Sequence, residues 1–475
     1  MNKQIRWVGL VSALLVFALL ANLSYLNIFK QSSLEADPDN RRAREAEFDI
    51  QRGQILAGSL AIADSVESKD NAFRYRRVYA NGPLYAQITG FYSYIYGSSR
   101  VENSFNDYLI GSSSSQWLQN LIDIMSGRSP QGASITTTIV PALQEAAWDA
   151  LTGYRGAILA MDPHSGAIKA LVSSPSYDPS LLADQDLGAS QEAWERLTTD
   201  PSRPMTDRGT REIYPPGSTF KLVVAAAALE RGYTAETLID TPSKVQLPNS
   251  EVYLPNSGKC GDGQQTLSRA LQLSCNTSFA LLGQTLGADA LRTQAIRFGF
   301  ESDHLPELGG VASHFPDEID DAQLMLSSIG QFDVAASPLQ IAMVTAAFVN
   351  SGKVPEPYLV EEVRAPDLSL LYKHDVNTSV AVSSITAQTM AEMMIDVVNL
   401  GNGSKAAIPG VSVGGKSGTA ETDIASPNIA WFTSFALNPD IVVVVFLQRD
   451  ESTPENLWGG ANAAPLAKKV MEASR

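Results

Sequence analysis

Ser218 and Lys221 have a spacing that could support nucleophilic catalysis. They follow two prolines and a glycine, which end the preceding segment, and they open a predicted helix over Phe220–Glu230. A serine there meets unpaired backbone N–H groups that favour a developing anion, and a lysine three residues later lies within reach of it. A lysine buried among apolar side chains has a lowered pKa and could take the serine's proton. Taken alone, the motif occurs often by chance and fits a helix-capping serine with a lysine that extends to solvent better than it fits catalysis.

Ser274 and Asn276 form a second short motif that places a hydroxyl and an amide close together. They lie in a break between two predicted helices, Thr266–Gln272 and Thr277–Gly283. In an extended segment, residues two apart point the same way, so both side chains would face one cleft. Serine and asparagine are also ordinary turn residues, and the motif alone leaves both interpretations open.

A third motif, Lys416, Ser417, Gly418 and Thr419, follows a predicted strand over Val411–Gly415. The hydroxyls of Ser417 and Thr419 alternate to one side of an extended chain, where they could hold a carboxylate with the Lys416 charge behind them. Glycines in such a strand permit close approach by a ligand.

The same segment also matches a phosphate-binding loop. Residues Gly410–Ser417 fit the pattern G-x-x-x-x-G-K-[ST]. That loop must open a helix whose N-terminus holds the phosphate. Here more loop and strand are expected after Ser417, so the sequence predicts no nucleotide site.

The elements that must position these motifs indicate an α+β fold. Turn residues between Ala157–Met161 and Ala167–Val172 predict a hairpin. Asp162 and His164 in its turn are interpreted as solvated turn residues and not as an acid–base pair. Strands early and late in this region, with helices between them, predict one sheet built from distant segments. Further elements are predicted at Ile135–Val140, Pro338–Asn350, Ile429–Ala436, Ile441–Leu447 and Ala463–Ala473.

The N-terminus predicts a membrane anchor. Trp7–Phe29 is a run of 23 residues without a formal charge, and as a helix of roughly 34 Å it would cross a hydrocarbon core of about 30 Å. Lys3 and Arg6 precede it, which predicts a cytoplasmic N-terminus and an extracytoplasmic remainder. The alternative is a cleaved signal peptide, although no A-x-A cleavage triplet follows. The predicted domains are residues 1–30 (tail and anchor), 31–150 (pedestal module, opening with a polar stalk at 31–48) and 151–475 (catalytic domain).

The composition of the chain argues against nucleic-acid binding and against a Cys/His metal site. The chain has 475 residues, a formal charge of −16 and 44% hydrophobic residues, so it can bury a large core and lacks the basic balance of a nucleic-acid-binding protein. Its four histidines and two cysteines are scattered, and no cluster with metal-ligand spacing can be assembled. We expect no metal and no cofactor.

The ordered trio of motifs resembles the penicillin-recognising serine acyltransferases. Ser274 lies 56 residues after Ser218, and Lys416 lies 142 residues after Ser274. More of the chain is similar to class B (monofunctional) penicillin-binding proteins, most of all to the actinobacterial PbpA type, and the similarity covers most of its length. The segments that carry it are residues 155–162, 173–179, 214–218 and 430–432, with a weaker pedestal signature at residues 52–57. Two departures are Asp207-Arg208-Gly209, where the family often has Asn-Arg-Ala, and Ser417, where many members have threonine.

The resemblance implies a fold and a reaction. The fold would be a penicillin-binding/serine β-lactamase-like domain, with a central antiparallel sheet flanked by helices, an all-helical subdomain and an elongated pedestal. Ser218 would attack the carbonyl between the two D-alanines of a stem pentapeptide, with Lys221 as base. Ser274 and Lys416 would relay a proton to the departing D-alanine, and an acceptor peptide would take the acyl group. Asn276, Ser417, Gly418 and Thr419 would bind substrate, and the N–H groups of Ser218 and Thr419 would form the oxyanion hole.

The same resemblance implies inhibition by β-lactams and a role in cell-wall synthesis during growth or division. No glycan-polymerising module precedes the domain, so the expected partner is a membrane-embedded glycan polymerase of the SEDS type, within a division or elongation complex. Cys260 and Cys275, which lie 15 residues apart, are predicted to form a disulfide outside the cell, the alternative being two buried thiols.

Three rival functions stay open at this level. A β-lactamase or a D,D-carboxypeptidase would use the same trio of motifs and pass the acyl group to water. A lactamase also needs a deacylating base, and no Glu-x-x-Leu-Asn-like segment occurs between Ser274 and Lys416. The third rival is a non-catalytic sensor with a retained pocket.

Overall fold

The fold is taken from a computed structural model, which describes residues 2–26, 30, 45, 47–68, 73–113, 116, 131–420, 429–450 and 457–475. Within these ranges one helix, Asn2–Tyr25, is long and apolar enough to cross a membrane. It starts five residues before the predicted run, because charged and amide side chains are compatible with a first turn at the lipid headgroups. Residues 27–29 of the predicted span, and the predicted stalk apart from residues 45, 47 and 48, lie outside the described residues.

The N-terminal module is built on a six-stranded sheet. Its strand order is Leu370–Lys373, Val360–Arg364, Ser134–Thr137, Ile55–Ala57, Leu60–Glu67 and Tyr75–Tyr79. The first two strands come from residues 360–373, late in the chain, so this sheet contains residues from both sides of the boundary predicted at residue 150. A short strand pair and three short helices complete the module at Tyr92–Ser93, Gly97–Ser98, Gly82–Thr89, Arg100–Ser104 and Asn106–Leu109.

A buried ion-pair cluster holds this module together. The carboxylate of Glu102 accepts hydrogen bonds from the guanidinium groups of Arg52 and Arg77, each at 2.6 Å. All three side chains are almost completely buried, and the two arginines hold the pKa of Glu102 below its usual value against the opposing effect of burial. Arg52 belongs to the pedestal signature, so the structure explains that segment as packing and not as catalysis.

The region predicted as the catalytic domain is built on a five-stranded antiparallel sheet. In order across the sheet, the strands are Val413–Ala420, Ile429–Ala436, Ile441–Gln448, Arg155–Met161 and Ile168–Ser174. Both faces are buried: Leu159 and Val444 pack on one side, Ile158 and Val445 on the other. The predicted α+β fold, with one sheet assembled from distant segments, is confirmed.

Helices cover both faces of this sheet. One face carries Pro338–Val349 and Ser384–Leu400, and the other carries Pro141–Leu151 and Ala464–Ala473. The helical region that carries the first two motifs contains Lys221–Leu229, Leu267–Leu273, Asn276–Leu286, Ala288–Arg297 and Asp321–Ser327.

The family resemblance implied an all-helical subdomain, but this helical region also contains strands. Two short antiparallel pairs lie within it: Leu238–Thr241 with Gly263–Thr266, and Lys244–Gln246 with Tyr253–Pro255. The remaining regular elements are Leu187–Thr199, Lys353–Pro355 and Thr378–Val380.

The predicted hairpin is present, and its turn is held by local hydrogen bonds. The Asp162 carboxylate accepts the backbone N–H groups of His164 and Ser165. His164 is exposed and contacts Asp440 and Asn350. Asp162 and His164 therefore act as turn residues at the surface, as predicted.

Candidate active site

Ser218 lies in a turn of 3₁₀ helix, Gly217–Thr219, that leads into the helix Lys221–Leu229. The backbone of this turn is clamped on two sides. The Gly217 N–H donates to the Gly330 carbonyl at 2.9 Å, and a Cβ on Gly217 would lie 2.8 Å from the Thr419 carbonyl oxygen. Gly217 has a φ of +53°, so both its conformation and the close approach require glycine. Backbone contacts therefore position the hydroxyl.

Lys221 is fully buried one helical turn beyond Ser218. Its ammonium nitrogen donates to Asn276 Oδ1 at 2.7 Å, to the Ser274 carbonyl at 2.9 Å and to Ser274 Oγ at 3.4 Å. Burial, and then the nearby charge of Lys416, lower the pKa of Lys221 well below its usual value. The lysine of the Ser-x-x-Lys motif is therefore buried, and the interpretation in which its side chain extends to solvent is excluded.

Ser274 occupies a left-handed conformation, with φ 61° and ψ 44°, at the end of the helix Leu267–Leu273. The predicted extended segment is therefore wrong at this residue. The physical reason is helix termination: the N–H of Cys275 donates back to the Ala270 carbonyl at 2.9 Å, the usual way of satisfying a terminal carbonyl group. Asn276 then begins the next helix, and its side chain still meets that of Ser274 at Lys221.

A disulfide between Cys260 and Cys275, with Cα atoms 5.8 Å apart, ties this turn to the neighbouring loop. Cys275 lies between Ser274 and Asn276, so the bridge restrains the backbone that carries both side chains. The two cysteines are buried.

Lys416 is also fully buried, and it reaches Ser274 from the opposite side. Its nitrogen donates to Ser274 Oγ and to the Ser417 carbonyl, both at 2.8 Å. Desolvation by burial lowers the pKa of Lys416 to about 7. The Ser274 hydroxyl thus joins two buried amines whose pKa values are both lowered, an arrangement suited to proton transfer near neutral pH.

Strand Val413–Ala420, which carries the third motif, is an edge strand of the five-stranded sheet. An edge strand leaves alternate backbone N–H and C=O groups unpaired, and these can bind a ligand. The segment continues as strand through Thr419 where a phosphate-binding loop would begin a helix. Position 418 lies against the nucleophile's turn: a Cβ added there would be 2.8 Å from the Pro216 carbonyl oxygen.

The motifs meet in one cleft of about 820 Å³. Five of the predicted residues line it, namely Ser218, Ser274, Asn276, Ser417 and Thr419, while Lys221 and Lys416 lie beneath it. Among the described residues no group of three or more His, Cys, Asp or Glu side chains is arranged to hold a metal ion.

Sequence reasoning missed several residues of the cleft. Phe332, Trp458, Lys259 and Lys405 all line it, and none belongs to a short motif. Trp458 precedes two glycines, and the N–H of Gly459 lies 3.4 Å from Thr419 Oγ1. That glycine pair is the one local signal that could have indicated a backbone packed against the site.

A serine on a clamped turn, two buried lysines and a bridging hydroxyl define the class of penicillin-recognising serine acyltransferases. Comparison with family models agrees. Residues 156–472 match the penicillin binding protein transpeptidase domain, and residues 52–135 match the penicillin binding protein A dimerisation domain.

Comparison with full-length relatives shows which type of protein within this class the chain resembles. The chain is 40% identical over 490 residues to the peptidoglycan D,D-transpeptidase PbpA of Mycolicibacterium smegmatis, covering 100% of this chain and 99% of the relative. The ceftriaxone acyl-enzyme complex of penicillin-binding protein A from M. tuberculosis superposes with a TM-score of 0.87 at 39% identity, covering 90% of this chain and 99% of that one. The penicillin G acyl-enzyme complex of the same protein gives a TM-score of 0.84 at 40% identity, with the same coverage. The chain belongs to the class B penicillin-binding proteins of the PbpA type.

Proposed function

We propose that the chain is a peptidoglycan D,D-transpeptidase that cross-links stem peptides through an acyl-enzyme on Ser218. The observation that carries the proposal is the buried amine of Lys221, one turn from Ser218 and bonded to both Ser274 and Asn276. Its lowered pKa favours the neutral amine, and a neutral amine can accept the serine's proton. The M. smegmatis and M. tuberculosis relatives carry this activity in their names.

In the proposed acylation step, Ser218 Oγ attacks the carbonyl between the two D-alanines while Lys221 takes its proton. The oxyanion is held by the N–H groups of Ser218 and Thr419, a pair of donors typically worth a few kcal/mol of transition-state stabilisation. The close packing of the nucleophile's turn against the edge strand supports this pairing.

The leaving D-alanine needs a proton on its nitrogen as the C–N bond breaks. Ser274 donates that proton and is reprotonated by Lys416, whose ammonium group lies 2.8 Å from Ser274 Oγ. Lys221 is then protonated and Lys416 neutral. When the acceptor amine attacks the acyl-enzyme, its surplus proton returns along the same path, and Ser218 regains its own proton from Lys221.

Substrate binding is assigned to the residues that face the cleft above this relay. Asn276 Oδ1 accepts from Lys221, and its NH₂ group donates to the Pro255 carbonyl at 3.3 Å and to Ser257 Oγ at 3.2 Å. A peptide carbonyl of the substrate would replace one of these two acceptors. Ser417 and Thr419 supply hydroxyls, and Gly418 between them keeps the strand close to the nucleophile. We assign the terminal carboxylate of the donor peptide to this strand.

The proposal extends to the rest of the chain. Residues 1–30 hold a single-pass anchor with a cytoplasmic N-terminus, residues 31–150 a pedestal and residues 151–475 the extracytoplasmic catalytic domain. Support comes from the apolar helix and from Lys3 and Arg6 before its core. A SEDS-type glycan polymerase in a division or elongation complex would supply the glycan strands.

Intact-mass analysis after exposure to penicillin tests the proposal. We expect one adduct, mapped by digestion to Ser218, absent from Ser218→Ala and present in Ser404→Ala, a matched control because Ser404 lines the same cleft. An adduct on another residue would reject the nucleophile. The lifetime of the adduct separates the rivals: minutes to hours for a transpeptidase, and far shorter for a β-lactamase. Release of free acyl peptide without cross-linking in the presence of an acceptor amine would instead indicate a carboxypeptidase.

A further inference from the structure

Phe332 combines three properties that together suggest a role in the cleft. Its backbone has a φ of +61°, a region in which a bulky residue is a genuine outlier. Its side chain is 46% exposed, and it lines the same cleft as Ser218. Strained conformations of this kind persist where the surrounding structure imposes them, and they concentrate at functional sites.

Backbone contacts on both sides impose this conformation. Two residues before Phe332, the Gly330 carbonyl accepts the N–H of Gly217 at 2.9 Å, which ties the loop to the nucleophile's turn. Three residues after it, Ala335 exchanges a pair of backbone hydrogen bonds with His314, at 2.7 and 3.0 Å. The chain must turn sharply between these two anchors, and Phe332 is at the turn.

The Phe332 side chain is not one of the buried residues of the hydrophobic core. A phenylalanine placed for packing would be buried, whereas this one leaves about half of its surface exposed in a cleft that also presents hydroxyls, amides, lysines and other apolar side chains, Trp458 among them. An exposed aromatic side chain on the wall of a ligand cleft is a typical contact for an apolar ligand group.

We propose that Phe332 is a specificity-determining residue that contacts the apolar side chain on the acyl side of the bond Ser218 attacks. In a β-lactam this is the apolar part of the acylamino substituent, and in the stem peptide it is the methylene part of the side chain of the residue before the D-alanines. The proposal deepens the function above and rests on Ser218 being the nucleophile. It predicts discrimination between acylating ligands by their apolar side chains.

The test compares acylation rate constants for benzylpenicillin, which carries an aromatic side chain, and 6-aminopenicillanic acid, which carries none. We expect the ratio of the two to fall about 10-fold in Phe332→Gly, the usual size of a lost apolar pocket contact. The ratio should fall less in Phe332→Leu and stay near wild type in Phe332→Tyr, which retains the ring. These two variants decide the question if the glycine variant does not fold.

Leu368 offers a matched control. It is also a large apolar residue at positive φ, +69°, and it is 72% exposed, but it lies in the turn between strands Val360–Arg364 and Leu370–Lys373, away from the cleft. Leu368→Gly should relieve the same kind of backbone strain and leave both rate constants unchanged. Leu368→Gly should not melt below wild type, because glycine accepts positive φ at no steric cost, whereas Phe332→Gly also loses the contacts of the buried half of its ring.

An unchanged ratio in Phe332→Gly and Phe332→Leu would overturn the inference. An equal fall for both ligands would overturn it as well, since it would show that Phe332 positions the nucleophile. In either case Ser218 would still be acylated, and the proposed function would stand. Failure of both ligands to label Ser218 in the wild-type protein would instead reject the proposed function, and the inference with it.

Discussion

Replacing Ser274 with alanine and with glycine separates catalysis from stability at the centre of the site. The substitution removes two hydrogen bonds to the hydroxyl, from Lys416 at 2.8 Å and from Lys221 at 3.4 Å. Both amines keep other acceptors, because Lys221 still bonds to Asn276 and to the carbonyl of residue 274, and Lys416 still bonds to the Ser417 carbonyl. The free energy of unfolding should therefore fall by only about 1–2 kcal/mol.

The backbone conformation predicts a difference between the two variants. Residue 274 has a φ of 61°, which costs alanine about 1 kcal/mol more than glycine. Ser274→Gly should thus unfold at a higher denaturant concentration than Ser274→Ala. Acylation by a fluorescent penicillin should fall to the same extent in both, by roughly 10²–10⁴-fold, because both lose the group that passes a proton to the leaving nitrogen.

Stopped-flow acylation and denaturant unfolding on the same preparations decide the matter. The relay would be refuted if Ser274→Gly acylated within about threefold of the wild-type rate. It would also be refuted if the acylation loss in the two variants followed their stability, since that would indicate a structural effect of residue 274 and no direct role in proton transfer.

Three further predictions follow from buried groups. The pKa of Lys416 is lowered to about 7 in the fold, so the unfolded chain binds more protons above that pH. The free energy of unfolding should rise between pH 7 and pH 9 and rise less in Lys416→Met, as measured by denaturant titration. Reducing the bond between Cys260 and Cys275, which closes a loop of 15 residues, should destabilise the catalytic domain by about 3 kcal/mol. A melting temperature unchanged by reductant would contradict this. Glu102→Gln should cost the pedestal about 3–5 kcal/mol, because it leaves two buried arginines without their carboxylate; calorimetry showing the wild-type transition would contradict it.

The sequence was sufficient for the motifs because each carries its chemistry in a few adjacent residues. Ser218 and Lys221 lie three residues apart where a 3₁₀ turn leads into a helix, and Ser417 and Thr419 alternate along one strand. The backbone conformation of Ser274 could not be predicted from the local sequence. The extended conformation predicted for it depended on alternation, whereas the structure ends a helix there with a left-handed residue, a choice made by the hydrogen bond to Ala270.

Other features depend on contacts between segments far apart in the chain. Strand Val360–Arg364 joins the N-terminal sheet by pairing with Ser134–Thr137, and no local pattern indicates that partner. Phe332 and Trp458 reach the cleft for the same reason: each lies a residue or two from a backbone contact, at Gly330 and Gly459, that exists only after the fold has formed.

The geometry of the nucleophile also explains why the two departures from the family pattern are compatible with the site. Ser218 is positioned by backbone atoms, through Gly217 against Gly330 and against the edge strand, and not by the side chains at the departing positions. Serine at 417 keeps the hydroxyl that threonine would offer and omits a methyl group. Asp207, in the other departure, is buried and bonds to the N–H of Gly209, so it replaces an asparagine as an acceptor within its own turn. Variation at these positions is therefore compatible with a reacting hydroxyl that stays in place.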